Sequence, residues 1–161
     1  KEMIPIKKIL VYPVISLLLI SFYSCDPNRI FDEYKDIKNS VWKQTDNIKF
    51  NVIIEDTLTP HNFFINVRNT CNYRFSNLYI FLNTEYPNGK ISRDTINCLL
   101  ADDDGKWLGK GLGDIKDNQY LLKKGVRFHQ KGTYSFGLEQ AMRIDTLQGI
   151  KSMGIRIEKI K

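Results

Sequence analysis

The sequence predicts an all-β protein: a single jelly-roll-like β-sandwich of about seven or eight strands behind an N-terminal lipoprotein signal peptide. Three observations lead to this fold class. Short segments alternate apolar and polar residues, turn signals separate these segments, and no convincing amphipathic helix follows Trp42. We expect residues 1–24 to be the signal peptide, 25–41 a lipidated tether and 42–161 the sandwich. A closed barrel is the alternative fold.

The N-terminal signal consists of a basic start, an apolar run and a cysteine. Lys7 and Lys8 precede a largely apolar run over residues 9–20, and Ser24-Cys25 follows. This run is too short for a hydrocarbon layer of roughly 30 Å, but it has the length of a signal-peptide core. We therefore predict cleavage before Cys25 and lipidation of that cysteine. A retained membrane-anchor helix is the alternative, and both hypotheses place the remainder outside the cytoplasm at a membrane.

The charge of the mature chain is mildly basic. Residues 1–24 hold three of the 24 basic and one of the 18 acidic residues, which leaves 21 basic and 17 acidic residues and a net charge of +4. The basic side chains are interspersed, so a nucleic-acid partner is not expected. A signal for export to the cell surface would be an acidic segment directly after Cys25, and only Asp26 is acidic there. We therefore favour the periplasmic face of the outer membrane over the cell surface.

Residues 25–41 are predicted to connect the lipid to the domain. Ile30, Tyr34 and Ile37 have helical spacing, which indicates a short helix or a docked tether, and an extended leader is the alternative. Two further cysteines, Cys71 and Cys98, lie beside strand-like segments. In an oxidising periplasm they either form a disulfide or remain as two free thiols, and the sequence leaves both open.

Strand-like segments follow one another from residue 50 onward. The cleanest alternation places Tyr134, Phe136 and Leu138 on one face of a strand. Residues 78–82 are apolar on both faces, which indicates a central strand. A Pro-Asn-Gly turn at residues 86–89 separates two of the segments. The predicted strands are residues 50–55, 63–68, 78–82, 91–100, 120–128, 134–139 and 155–158.

Three short features carry residue types associated with chemistry, but none matches a recognised motif. Asp102 and Asp104 alternate as calcium ligands do, but the EF-hand spacing fails, so a solvated acidic turn is favoured. The glycines of residues 105–113 lack the phosphate-loop spacing. His61 and His129 are interpreted as surface histidines in turns, since no nucleophile motif accompanies them. We expect no enzymatic activity, cofactor, metal or small-molecule substrate.

The best candidate contact surface is the glycine-rich loop at residues 101–114. Trp107 is an aromatic residue of the kind enriched in binding hot spots, and the glycines allow a partner backbone to approach closely. The alternative is that Trp107 closes the end of the core. The candidate contact residues are Asp102, Asp104, Lys106, Trp107 and Lys110.

Aromatic residues also allow a second function, a glycan-binding β-sandwich lipoprotein. Trp42, Tyr73, Tyr79 and Trp107 would have to form an exposed platform on which sugars stack. Core or loop anchoring is the favoured role for any one of them. An exposed aromatic row would support glycan binding, and burial of both tryptophans would oppose it.

An ordered series of short motifs resembles the gliding motility lipoprotein GldH family of the Bacteroidota. The resemblance runs from Trp42 to Glu158 and accompanies the lipoprotein signal. The motifs are Arg68-Asn69, Tyr73, Ser76-Asn77-Leu78-Tyr79, Asp94-Thr95, Leu100-Ala101-Asp102, Gly105-Lys106-Trp107-Leu108-Gly109, Tyr134-Ser135-Phe136, Glu139-Gln140 and Met142-Arg143. The resemblance implies a non-enzymatic accessory component of the gliding and type IX secretion machinery at the outer membrane, with protein partners in that apparatus. It supplies no catalytic residues.

Overall fold

Ten strands are present in residues 26–160, the part of the chain that the computed structural model describes. A single 3-10 turn, Lys38–Ser40, separates the first two strands. The strands are β1 (Arg29–Asp36), β2 (Val41–Lys43), β3 (Ile48–Ile54), β4 (His61–Thr70), β5 (Asn77–Glu85), β6 (Ile91–Leu99), β7 (Ile115–Val126), β8 (Gly132–Gln140), β9 (Thr146–Gln148) and β10 (Ile150–Lys159).

Eight of the strands form two antiparallel four-stranded sheets. The first sheet has the order β1-β10-β4-β7 and the second has the order β3-β8-β5-β6, while β2 and β9 form a separate two-stranded ribbon. Chain connections pass from one sheet to the other, except for the β5–β6 hairpin, and this is the winding of a jelly roll. The predicted fold class is therefore confirmed. The predicted strand number is too low, because β1, β2 and β9 were not predicted.

The core lies between the two sheets and follows the predicted alternation. Tyr134, Phe136 and Leu138 all point into it and are buried. Strand β5 is an inner strand, as predicted, but only one of its faces is buried, since Tyr79 on the other face is exposed. The buried alternating positions of the other strands are Phe50, Val52, Ile54, Phe63, Ile65, Val67, Ile155 and Ile157.

Residues 29–36 form strand β1, which pairs with β10 along its length. The helical alternative for Ile30, Tyr34 and Ile37 is therefore wrong, and this segment is part of the first sheet rather than a tether detached from it. The register shifts between Arg29 and Phe31. The spacing looked helical because Ile30 and Tyr34 are four residues apart, which fits a strand as well as a helix, and because Ile37 lies beyond the end of β1.

The two ends of the sandwich carry different sets of loops. One end, which we call the terminal end, holds residues 26–28 and the connections 55–60, 86–90 and 127–131. The other, which we call the loop end, holds the longer connections 37–47, 71–76, 100–114 and 141–149. Successive long strands run in opposite directions along the sandwich, so the connections between them alternate between its two ends.

The predicted signal peptide and lipidation site lie outside the described residues, whereas Cys71 and Cys98 lie within them. The signal peptide and Cys25 lie outside the range 26–160, and no helix within that range is long and apolar enough to cross a membrane. Cys98 is buried and Cys71 is exposed, and both are free thiols, so the disulfide alternative is wrong. Burial raises the pKa of the Cys98 thiol to about 12.

Candidate functional site

The predicted contact loop is held at the loop end by backbone pairing on both sides. Ala101 and Trp107 form an antiparallel bridge, and the N–H of Leu108 donates to the carbonyl of Leu100 at 2.9 Å. Farther along, Lys110 and Asp117 exchange two backbone hydrogen bonds of 2.9 and 2.7 Å. The loop is therefore a folded arm tied to β6 and β7 at both of its sides.

Asp102 closes the turn at the tip of this arm. Its Oδ1 accepts hydrogen bonds from the backbone N–H groups of Asp104 (3.1 Å) and Lys106 (2.8 Å). Gly105 has a φ of +79°, a backbone conformation that favours glycine. The side chains of Asp104 and Lys106 remain exposed. Among residues 26–160, no group of three or more His, Cys, Asp or Glu side chains is arranged to hold a metal ion.

Trp107 is half-buried and packs against the core, whereas its neighbours point outward. Leu108 is exposed and Leu112 is fully exposed, so leucines rather than the tryptophan present the apolar surface of the loop. Lys110 is exposed beside them. Of the five predicted contact residues, the structure leaves Asp104, Lys106 and Lys110 outermost, and it gives Asp102 and Trp107 roles in shaping the loop.

Two glycines of the loop are required by close packing on β7. A Cβ on Gly109 would lie 2.7 Å from Oδ1 of Asn118, a buried side chain whose Nδ2 donates to Oδ1 of Asn69 at 2.9 Å. Gly111 has a φ of +147° and faces the carbonyl of Ile115 so closely that no side chain fits. The glycines therefore seat the loop on the sheet.

A polar cluster on the outer face of the first sheet also fixes this part of the molecule. The Tyr34 hydroxyl donates to Oδ1 of Asp117 at 3.1 Å, and Nε of Arg68 donates to Oδ2 at 3.0 Å. The Arg68 guanidinium stacks 3.8 Å from the Tyr34 ring centroid. Burial, together with the Asp117 charge, raises the pKa of Tyr34 to about 12. Because Asp117 also pairs with Lys110, the cluster braces the loop.

An apolar groove beside the loop was missed by sequence reasoning. It has a volume of about 490 Å³, and Phe75, Tyr79, Met142 and Ile144 supply its apolar lining. Arg143 lies in the same lining. The sequence contained one indication of this groove: Phe75 and Ile144 are large apolar residues that follow arginines within short polar connections. Exposed apolar residues grouped in this way are typical of contact surfaces.

Buried hydrogen bonds give this groove a fixed shape. The buried Gln140 side chain spans residues 141–145: its Nε2 donates to the carbonyl of Ile144 at 2.8 Å, and its Oε1 accepts from the N–H of Met142 at 2.9 Å. On the opposite wall, the Tyr73 hydroxyl donates to the carbonyl of Asn77 at 2.8 Å. A surface fixed in this way loses little conformational freedom when a partner binds.

The aromatic residues do not form the predicted exposed row. Trp42 is fully buried beneath the β2–β9 ribbon, Tyr73 is buried, and Trp107 packs on the core. Tyr79 is the exposed member of the four, and it lines the apolar groove. The condition that would oppose glycan binding, burial of both tryptophans, is thus met by Trp42 and only in part by the half-buried Trp107.

The interpretation of His61 as a surface residue is wrong. His61 begins β4, is fully buried and lies 5.4 Å from the ring centroid of Phe128. Its burial lowers its pKa. The proline-containing turn ends one residue earlier, which misled the prediction. His129 is exposed in the connection after β7, as expected.

The profile of the GldH lipoprotein family matches residues 29–157, which is nearly the whole described chain. The chain belongs to the GldH lipoprotein family. The resemblance drawn from the motifs is thereby confirmed, and membership makes this chain a lipid-anchored lipoprotein of the envelope.

Two relatives are similar over most of their length. The gliding motility lipoprotein GldH homolog of Christiangramia forsetii is 36% identical over 148 residues, which cover 88% of this chain and 90% of the relative. The gliding motility lipoprotein GldH of Flavobacterium johnsoniae is 35% identical over 153 residues, which cover 91% and 94%. The alignment with a chain from the structure of infectious bursal disease virus Gx strain covers 81% of this chain and 29% of the viral chain, at 10% identity and a TM-score of 0.31.

The motifs that resemble GldH lipoproteins are concentrated at the loop end. Two of them, Tyr134-Ser135-Phe136 and Asp94-Thr95, lie along strands away from this end. The others surround the contact loop and the apolar groove, and they include Asn69, which holds Asn118, and Gln140, which shapes the groove. Most of the motifs on which the resemblance was drawn therefore lie at the end opposite Asp26.

Proposed function

We propose that this protein is a non-catalytic accessory component of the gliding motility and type IX secretion machinery. It is held in the outer membrane by lipid on Cys25, and it presents its loop end to protein partners in the periplasm. The observation that carries this proposal is the family match over residues 29–157 together with two relatives named for gliding motility.

The loop end has the physical character of a protein-binding surface. It combines an apolar groove with two exposed leucines, Leu108 and Leu112, on a braced loop. Its connections contain six basic and six acidic residues, so a partner meets apolar groups within a balanced polar rim, the usual anatomy of an interface. The charged residues are Lys38, Lys43, Asp46, Arg74, Asp102, Asp103, Asp104, Lys106, Lys110, Asp114, Arg143 and Asp145.

The position of Asp26 supports the periplasmic face. This carboxylate follows Cys25 directly and is paired with Arg156 at 2.6 Å between Oδ2 and Nη2. An acidic export signal must be available to the factor that recognises it. A carboxylate already engaged by an arginine of the folded domain is a poor signal of that kind.

Complementation tests the proposal directly. A Flavobacterium johnsoniae strain that lacks its own relative, and carries this chain instead, should regain colony spreading and secretion. Leu108→Ser with Leu112→Ser should reduce both, together with the yield of cross-linked envelope proteins, because the apolar contact is lost. Leu121→Ser is the matched control, since it removes an exposed leucine from within β7, away from both ends. Membrane-localised protein without any restored function would contradict the proposal.

A further inference from the structure

A single peptide bond separates the proposed lipid site from a residue fixed to the sandwich. Asp26 follows Cys25, and its Oδ2 pairs with Nη2 of Arg156 on β10 at 2.6 Å. Oδ1 of Asp26 accepts the N–H of Asn28 at 3.1 Å, and the carbonyl of Asn28 accepts the N–H of Lys159 at 2.8 Å. The residue next to the lipid is therefore held on β10, with no free tether between them.

Arg156 is the centre of this attachment. Its side chain is only 19% exposed and also contacts Asp32 (Nη1–Oδ2, 2.8 Å) and Glu158 (Nη2–Oε2, 2.9 Å). Hydrogen bonds between ionised groups are the strong ones. One guanidinium thus joins β1, β10 and the segment that leads to Cys25.

We propose that the terminal end of the sandwich lies directly on the bilayer that holds the lipid, with its exposed apolar and cationic side chains among the headgroups. The inference rests on the proposed lipidation of Cys25. In the sequence Cys25 directly precedes Asp26, the residue fixed to β10. A lipid inserted into the membrane at Cys25 brings this end of the domain to the surface with it.

A fixed leucine stands beside this attachment. Oδ1 of Asp56 accepts the N–H groups of Leu58 and Thr59, each at 3.0 Å, and Oδ2 pairs with Nζ of Lys159 at 3.1 Å. Leu58 is 84% exposed on this rigid turn. Because Lys159 also bonds Asn28, the turn and the segment leading to Cys25 belong to one network. An apolar side chain displayed rigidly next to a lipid anchor suits the boundary between headgroups and acyl chains.

The rest of the terminal end has the same character. Ile91 at the start of β6 and Ile53 near the end of β3 are 73% and 66% exposed. The connections 86–90 and 127–131 contribute Lys90, Arg127 and Lys131, and acidic residues are absent from both. Cations next to a bilayer are attracted to anionic headgroups. Across all of its connections the terminal end has three basic and three acidic residues, but two of the acidic ones, Asp26 and Asp56, are already paired with Arg156 and Lys159 of β10.

The test compares one probe at the two ends of the full-length lipidated protein in phosphatidylethanolamine–phosphatidylglycerol vesicles. In a Cys71→Ser background, an environment-sensitive fluorophore is attached to Leu58→Cys or to Leu112→Cys, both highly exposed positions. The probe at position 58 should emit at a shorter wavelength and be quenched by nitroxide-labelled lipid. The probe at position 112 should emit as it does without vesicles. Equal responses, or a stronger response at 112, would overturn the proposal.

Two further measurements separate the possible failures. Vesicle flotation of the same samples, with Cys25→Ala as control, tests lipid anchoring itself. Protein that floats but gives equal probe responses overturns only the orientation, whereas protein that does not float overturns both lipidation and orientation. Arg156→Gln in the labelled Leu58→Cys protein should reduce quenching, because release of Asp26 frees a tether, and unchanged quenching would count against the attachment described here.

Discussion

The exposed surfaces at the two ends of this sandwich are built from different interactions. At the terminal end, carboxylates are matched with cations and backbone N–H groups, as Asp26 is with Arg156 and Asp56 is with Lys159. At the loop end, Trp42 on strand β2 of the short ribbon is fully buried, and other apolar side chains line the groove at the surface. The N-terminal segment is thus attached by ion pairs near the surface, whereas the groove at the loop end continues the apolar core outward.

This difference teaches how one jelly roll can serve two neighbours. Apolar packing creates an exposed apolar groove that suits a protein partner, whereas a network of ion pairs fixes the chain segment next to a lipid without adding bulk. The three predictions below test each half of the comparison through the stability of the folded domain.

The largest effect is expected for Trp42→Ala at the loop end. Trp42 is fully buried opposite Leu147, and its Nε1 donates to the carbonyl of Asp46 at 3.0 Å. Truncation of a buried aromatic side chain leaves a cavity, so we expect a loss of about 3–5 kcal/mol in the free energy of unfolding. Urea denaturation followed by circular dichroism measures it.

Trp107→Ala is the matched control for that variant. Trp107 is half-buried against the same core, so its truncation should cost about 1–2 kcal/mol. If the two variants were equally destabilised, the contact loop would be as much a part of the core as the ribbon is, and its value as a separate binding surface would fall.

The strands of the sheets were predictable because their burial is one-sided. Tyr134, Phe136 and Leu138 alternate with more exposed residues, and only a strand gives that period. The ribbon strands β2 and β9 are three residues each, too short for any period to appear in the sequence. Strand β1 was missed because charged residues fill most of it and because Ile37, which completes the helical spacing, lies beyond its end.

A smaller effect is expected at the terminal end for Arg156→Gln. This change leaves Asp26, Asp32 and Glu158 without their shared cation. Because the site is only partly shielded from water, we expect a loss of about 1–2 kcal/mol in the free energy of unfolding. Thermal and urea unfolding of the variant measure this loss.

Arg93→Gln provides the comparison for a single exposed pair. Arg93 is 51% exposed and pairs with Glu139 at 3.1 Å, so its removal should cost less than about 1 kcal/mol. Equal losses for the two variants would mean that the three carboxylates around Arg156 act as independent surface charges, which would weaken the case for a fixed attachment.

The candidate site was predictable only in part, since contact is a property of space. The glycine-rich segment and Trp107 indicated a loop at the end of the core, and the structure places them there. The groove is formed by Phe75 and Ile144, which are far apart in the chain and meet because β4 and β8 end, and β5 begins, at the loop end. The charges that meet at Arg156 were equally invisible, because Asp26 is 130 residues away along the chain.

The smallest effect is expected in the acid dependence of stability, and Asp56 at the terminal end is the group that tests it. The Thr59 side-chain and backbone hydrogen bonds, followed by the Lys159 contact, lower the pKa of Asp56 below its ordinary value of 3.8. A carboxyl with a lowered pKa in the folded state contributes stability above its unfolded value, and this is lost as the pH falls from there through the folded pKa. Asp56→Asn should therefore be less stable than the parent protein at pH 7, and this difference should shrink as the pH falls below 3.8. Urea midpoints across this pH range measure the difference.

Thr59→Ala is the control, and it should change stability in the same direction by less. A pH-independent difference for Asp56→Asn would show that the turn displaying Leu58 is not held by the charge on Asp56.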